Sequence, residues 1–328
     1  MPGAGRFAPS PSGRMHFGNL RTAVAAYLFA QTTSRQFLVR VEDIDTGRSR
    51  SEYAAAGLQD LRALGLESEL PVVYQSERHT LYETALERLI QKGLVYECYC
   101  SRSDIAAAAS APHGKPGIYP GICRDLPQAV RTAKRRELAQ KGRQPALRLR
   151  APEGVEFQVQ DDLLGTITGM LHDYVLRRSD GDWAYQLAVV VDDMEQGVDQ
   201  VVLRGMDLFS SAPVQAWLTE TLGGAAPRYA HIPLVLNGNG QRLAKRDGAV
   251  TLPELCAQGW DNRGVLLRIL SSLGWEEAAN SRWRDYSIPE ILEQAVHSWN
   301  PRMAPHEPVI FGGNDGKFAK FSTVNANR

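Results

Sequence analysis

Cysteine is scarce in this chain, four residues in 328, and that scarcity excludes a disulfide framework. Thiols so few are expected to stay reduced or to bind metal. Net charge is absent as well, since 37 basic side chains balance 37 acidic ones. Any nucleic acid must therefore be held by a local patch, not by the field of a strongly basic protein. No apolar run reaches the roughly 18 residues that cross a bilayer, and residues 1 to 7 lack a charged segment followed by an apolar one. The expectation is a cytoplasmic protein with no membrane partner. Two phosphate loops are also missing: neither Gly-x-x-x-x-Gly-Lys-Ser/Thr nor Gly-x-Gly-x-x-Gly occurs, which argues against P-loop enzymes and the usual dinucleotide dehydrogenases. There is no internal repeat. What remains is ordinary globular composition, 43% hydrophobic and 23% charged, in a chain long enough for two domains with ample core.

The amino-terminal stretch alternates short apolar strands with amphipathic helices, the pattern of a parallel sheet covered by helices. Arg6-Phe7-Ala8 reads as a first strand, stopped by Pro9-Ser10-Pro11-Ser12-Gly13, where two prolines and a glycine forbid regular structure. Asn19 is expected to cap a helix from Leu20 to Gln31. Phe37 to Val41 reads as a second strand, ending in the acidic cluster Glu42-Asp43-Ile44-Asp45. Ser51 to Leu64 and His79 to Lys92 read as helices. The segment from Ala106 to Gly117 shows little periodicity and reads as an insertion, while residues 131 to 150 form the densest basic stretch: Arg131, Lys134, Arg135, Arg136, Lys141, Arg143, Arg148 and Arg150 against Glu137. That stretch is either a solvated face or a nucleic-acid patch.

Leu187 to Val191 is a continuous apolar run, expected to be a strand buried on both faces and ending in Asp192-Asp193. Val201 to Leu203 and Ile232 to Leu236 are expected to repeat it, the last running into the glycine-rich basic loop from Asn237 to Gly248. Asn262 to Leu273 and Pro289 to Ser298 read as helices, and residues 312 to 328 carry too few apolar groups to pack. The domain reading follows: residues 1–97 and 151–248 are two halves of a Rossmann-like α/β catalytic domain, 98–150 an insertion with the basic segment, 249–311 a small helical region and 312–328 a disordered tail.

Ligands of open parallel sheets bind beyond the carboxyl ends of the strands. Ser10, His16, Glu42, Asp192, Arg204, Asp207 and Lys245 all fall at or just past expected strand ends, so they would converge on one crevice. His16-Phe17-Gly18-Asn19 lies where a loop enters a helix, the place at which free amides and the positive end of the helix dipole meet a phosphate. His16 and Asn19 add donors for a phosphorus whose charge grows in the transition state.

Three cysteines cluster, Cys98, Cys100 and Cys123, and three soft ligands suit a structural Zn2+. By ligand chemistry His113 is a candidate fourth ligand, and Tyr119, four residues before Cys123, is another. Cys256, in a later helix, reads as a small core residue.

The run from Arg6 to Gly13 through His16-Phe17-Gly18-Asn19 resembles the first signature of class I glutamyl-tRNA synthetases, and Arg242-Leu243-Ala244-Lys245-Arg246 occupies the place of their second. Val41 to Asp45, Val190 to Asp193 and Arg204 to Asp207 are similar to further motifs in the same order, so the resemblance covers about residues 3 to 300. It implies the class I fold with a zinc-containing insertion, and an ATP-dependent ligase that binds ATP, with Mg2+, and L-glutamate. The chain is most similar to the family's short form, which lacks the anticodon-binding domain and transfers glutamate to queuosine in tRNA(Asp). Only 83 residues follow Lys245 (328 − 245), which fits that form. Alternatives are a shortened enzyme acting on the tRNA 3′ end and a non-catalytic module that binds glutamate or tRNA.

Residue by residue, the resemblance implies that Arg6, Ala8, Ser10, Glu42, Tyr185 and Arg204 contact glutamate, that His16, Gly18, Asn19, Arg242 and Lys245 hold ATP, with His16 and Lys245 catalytic, and that Cys98, Cys100, Tyr119 and Cys123 ligate zinc. Two carboxylates and an ammonium call for guanidinium forks and one carboxylate, which agrees. Two departures stand out. Asn19 replaces the second histidine of the first signature, and in the second signature only Lys245 matches identically, so hydroxyls that bond ATP are missing.

Overall fold

The computed structural model describes residues 3–109, 118–204, 211–237, 240–241, 250–311 and 318–320. β1 (Ala4–Phe7) leads through the proline-rich loop into α1 (Phe17–Gln31), and β2 (Gln36–Val41) returns parallel to β1. A Cβ added at Gly5 would lie 3.0 Å from Ala30 Cβ, so glycine lets α1 lie close on its strand. After α2 (Ser51–Ala63) and the short β3 (Val73–Tyr74), α3 (His79–Gln91) precedes the insertion.

The insertion has its own antiparallel sheet. β4 (Val95–Cys98) pairs with β5 (Ala146–Leu149), and between them lie α4 (Arg102–Ala109) and α5 (Gln128–Gln140). α4 makes the first part of the supposedly aperiodic segment helical, as its alanine run favours; the remainder, with His113, lies outside the described residues. β6 (Glu156–Asp161) and β7 (Gly165–Met170) form a hairpin, and β8 (Val175–Arg177) pairs with β5. The insertion's sheet therefore reaches Arg177, beyond the expected limit at 150.

The chain then enters α6 (Tyr185–Glu195), where the sequence led us to expect a strand. A short apolar run does not separate a doubly covered strand from a helix buried all round. Here α6 packs against α3, α7 (Ala212–Thr221) and the sheet, and Leu187 to Asp193 are all buried. β9 (Val198–Arg204) follows α6 and runs parallel beside β1, and β10 (Arg228–Ile232) follows α7. The expected strand from Ile232 to Leu236 breaks at Pro233, and β11 (Val235–Leu236) joins a different sheet.

The large sheet has the order β3-β2-β1-β9-β10-β6-β7, with only the β6–β7 pair antiparallel. Strand order reverses at β1 and β9, so the crevice beyond their carboxyl ends is the switch point of the sheet.

α8 (Leu252–Ala257), α9 (Asn262–Ser272) and α10 (Ile288–Ser298) follow, as the helical patterns anticipated for the last two. They share one core with α1: Phe29 meets Trp299 at 5.2 Å between rings. Buried Arg21 donates to Ser272 Oγ and O and to Pro233 O. β12 (Val309–Phe311) pairs with β11 and with β13 (Phe318–Lys320). A strand inside the expected tail corrects that expectation for residues 318–320: backbone pairing to β12 supplies what the apolar content does not.

Candidate active site

β1 and β2 carry the site on adjacent parallel strands. Arg6 leaves β1 buried, and its Nε and Nη2 each donate to Asp193 at 3.1 Å, a bidentate fork. From β2, Arg40 is fully enclosed; its Nη1 lies 2.8 Å from Asp193 Oδ1, and its Nη2 donates to Glu42 Oε1 at 3.3 Å. Burial acts first to raise the Asp193 carboxyl, but Arg6 and Arg40 outweigh it and hold the group below its ordinary value. At Glu42 burial wins, and the carboxyl is pushed above its ordinary value despite the same two arginines. A ligand ammonium placed there would reverse that shift.

Asp192, expected to face the crevice, does not. It lies on α6 with 0% exposure and accepts from Gln75 Nε2 at 2.7 Å, Arg78 Nε at 2.6 Å and Tyr82 Oη at 2.8 Å. Its oxygens are occupied inside the protein, and the residue fastens α3 to α6. Arg40, Arg78 and Asp193 were not singled out as site residues from sequence. The available signal was Arg40, a lone charge within an otherwise apolar strand, which demands buried carboxylates.

Ser10, Glu42 and Tyr185 line one cavity of about 800 Å³ together with Cys98 and Cys100. Tyr185 opens α6, and burial pushes its hydroxyl up to about 12, so it stands as a neutral donor. Ala8 is half-buried just past β1. Arg204 ends β9, in register with Ile232; its side chain, Asp207, Arg242 and Lys245 lie outside what the structure describes.

His16, not Asn19, caps α1. The Gly18 N–H donates to His16 Nδ1 at 3.0 Å, and Asn19 Oδ1 accepts from the His16 N–H at 3.2 Å, a reciprocal capping box. A neutral ring that accepts at Nδ1 carries its proton on Nε2. Asn19, with its oxygen turned to the cap, keeps the amide nitrogen as a donor. The helix end is tied from the other side by Phe17 N–H donating to Val250 O at 2.9 Å, and His16 pairs with Thr251.

The four expected metal ligands come together at the end of β4. The sulfurs of Cys98, Cys100 and Cys123 lie within 4.8 Å of one another, and Tyr119 Oη is 3.4 Å from Cys98 Sγ and 3.6 Å from Cys100 Sγ. Ligands about 2.3 Å from a tetrahedral Zn2+ are spaced by roughly these distances, so the donor set fits the ion. Burial pushes the Cys100 thiol up to about 12. At Cys123 burial also acts upward, but hydrogen bonds from Tyr119 and the Tyr99 N–H prevail and lower it.

The basic stretch divides. α5 is exposed except at Leu138. Arg135 pairs with Glu97 at 2.8 Å, Lys141 with Glu137 at 2.6 Å, and Arg150 with Asp125 at 2.8 Å.

Comparison with known proteins gives consistent results. The family described as tRNA synthetases class I (E and Q), catalytic domain, matches residues 4–294. The glutamyl-Q tRNA(Asp) synthetase of Nocardia farcinica is 51% identical over 312 residues, 95% of this chain and 94% of that protein. Its counterpart from Neisseria meningitidis is 45% identical over 311 residues, 93% and 98% of the two chains. Among solved structures, a glutamate tRNA ligase from Elizabethkingia meningosepticum in complex with its amino acid has a TM-score of 0.77 at 23% identity, covering 95% of this chain and 67% of that one. That likeness is one of fold. No described helix is long and apolar enough to cross a membrane.

Proposed function

This chain belongs to the class I tRNA synthetases (E and Q), and we propose that it activates L-glutamate with ATP and Mg2+ and transfers it, in the cytoplasm, to queuosine of tRNA(Asp). The observation that carries this is the match, over nine-tenths of the chain and nearly all of their own length, to relatives bearing that name. The Arg6–Glu42–Tyr185 cluster beside a cavity is the setting a dicarboxylic amino acid requires.

In the first step the glutamate α-carboxylate attacks the α-phosphorus of ATP, the bond to the bridging oxygen breaks, and pyrophosphate leaves. In the second a queuosine hydroxyl attacks the acyl carbon, loses its proton, and AMP departs with the electron pair. Asp193 holds Arg6 in one orientation, so its remaining Nη1 is the edge offered to a substrate carboxylate, with Arg204 as the second fork. Glu42 takes the ammonium; Ser10, the backbone at Ala8 and the Tyr185 hydroxyl complete the pocket. His16, through the proton on Nε2, and Lys245 oppose the charge that grows on the phosphates, while Gly18, Asn19 and Arg242 position the nucleotide. Cys98, Cys100, Tyr119 and Cys123 would hold Zn2+, which would act structurally by cross-linking the turn after β4.

The test supplies labelled glutamate and ATP with tRNA(Asp) containing or lacking queuosine. Label only on the queuosine-containing RNA, retained after removal of the 3′ terminal nucleotides, is expected. Equal labelling of both RNAs, or label lost with the 3′ end, assigns ordinary aminoacylation. Absence of glutamate-dependent ATP–pyrophosphate exchange assigns a non-catalytic binding module.

A further inference from the structure

The cavity that holds Ser10, Glu42 and Tyr185 on one side is walled on the other by Arg143, Arg148 and Arg178. The last is committed: Arg178 Nη2 donates to Asp180 Oδ2 at 2.6 Å and its Nη1 lies 3.7 Å from Asp45. Arg143 and Arg148 differ. Among the described residues neither has a carboxylate within ion-pair distance. Arg143 Nη2 reaches only Ser179 Oγ, at 3.5 Å.

Arg148 is the more telling. It is 7% exposed, its Nη1 donates to the Asp173 carbonyl at a long 3.3 Å, and its Nε is buried with no hydrogen-bond partner. A guanidinium enclosed to that degree normally has a counter-charge, and one without it is costly. What fixes it is Tyr119, over whose ring the Arg148 Cζ sits at 3.8 Å. Stacking holds the plane of the fork and leaves its edge for a planar or tetrahedral oxyanion. Arg148 also borders a second opening of about 500 Å³, between Tyr119 and Tyr185.

We propose that Arg148 and Arg143 form an anion site, beside the cysteine cluster, that takes a backbone phosphate of the RNA whose base enters the cavity. The proposal rests on the functional reading above and deepens it by naming a phosphate subsite. The nucleotide's own phosphates belong elsewhere, since His16 and the start of α1 do not line this cavity. A phosphodiester next to the reacting base is the anion such a wall would meet, and Arg143, exposed at the rim, would meet it first.

The experiment measures binding of a labelled RNA stem-loop with a seven-nucleotide loop to the full chain over a range of KCl concentrations, for the parent, Arg143→Gln and Arg148→Met. Bound zinc and the thermal midpoint certify folding of each variant. Arg143→Gln is expected to weaken binding about tenfold and to lower the slope of log K against log salt by about one, the signature of one lost phosphate contact. Arg148→Met is expected to weaken binding at least as much. If Arg148→Met fails to fold, Arg143→Gln decides alone. Unchanged affinity and slope in the folded variants overturn the anion site, even if the parent transfers glutamate. A raised KM for glutamate with RNA binding intact assigns the wall to the amino acid and overturns it as well. Conversely, RNA binding that depends on these arginines with no glutamate transferred leaves the anion site standing and overturns the proposed function.

Discussion

Two sets of arginines differ in their surroundings, one packed around Glu42 and the Asp192–Asp193 pair, the other on the wall of the cavity. Arg6 and Arg40 are buried and Arg78 half-buried beside them, and Asp193, Glu42 and Asp192 answer each guanidinium. Arg143 and Arg148 stand on the insertion's wall with no carboxylate among the described residues. The paired set is a finished scaffold whose geometry is set before a small ligand arrives. The unpaired set is the one that the proposed anion would complete. Charge inside a protein is thus informative mainly through what answers it.

The strongest way to break the paired side is Asp192→Ala, which strips Gln75, Arg78 and Tyr82 of their acceptor. Loss of about 3 kcal/mol is expected, read from urea midpoints, because buried Gln75 and Tyr82 lose their acceptor and half-buried Arg78 its counter-charge. A loss under about 1 kcal/mol would show that Arg78 turns to solvent.

Next in size is Glu42→Gln. Glutamate-dependent exchange should fall about 100-fold, consistent with removing one charged partner from a buried site. Stability should not fall with it. The sign follows from the raised pKa: between the unfolded and folded values the native state binds more protons, so this group contributes stability at low pH that is lost as pH rises, and at neutrality its charge is a burden. For the same reason kcat/KM for glutamate in the parent should decline on acidification at a pH above the ordinary carboxylate range, a limb absent from the variant.

Cys98→Ser sharpens the contrast from the other side. Bound zinc should fall from about one per chain, with the insertion destabilised and stem-loop binding weakened, because the Tyr119 hydroxyl lies 3.4 Å from Cys98 Sγ and its ring lies under Arg148. Elemental analysis that finds no zinc in chelator-free parent protein would remove the metal from this account. The smallest effect is ionic. Between 50 and 200 mM salt, transfer to RNA should decline severalfold while ATP–pyrophosphate exchange changes less, since only transfer neutralises RNA phosphates and releases their counterions.

Much of this was legible in the sequence where local chemistry decides. The proline-rich loop after β1, the acidic end of β2 and the three cysteines each declared their place, because turns, strand ends and thiolate clusters are short-range. α6 was not legible: burial on every side erases the periodicity that distinguishes helix from strand. With α6 misassigned, Asp192 looked like a ligand-facing residue when it is a fastening between helices. Arg40 was missed because only Glu42 among its carboxylate partners is near in sequence, while Asp192 and Asp193 lie some 150 residues away, and no local pattern reports those two pairings.

One small link has a practical meaning for anyone recombining such enzymes. Just after the basic segment, Val250 O accepts from the Phe17 N–H, and Thr251 is bridged to His16. The first signature and the exit from the second are therefore a single graft. A chimera that imports residues 237–248 from a relative without matching the backbone at 16–17 and 250–251 would set the donor loop on a foreign anchor, so the crossover points belong outside both segments.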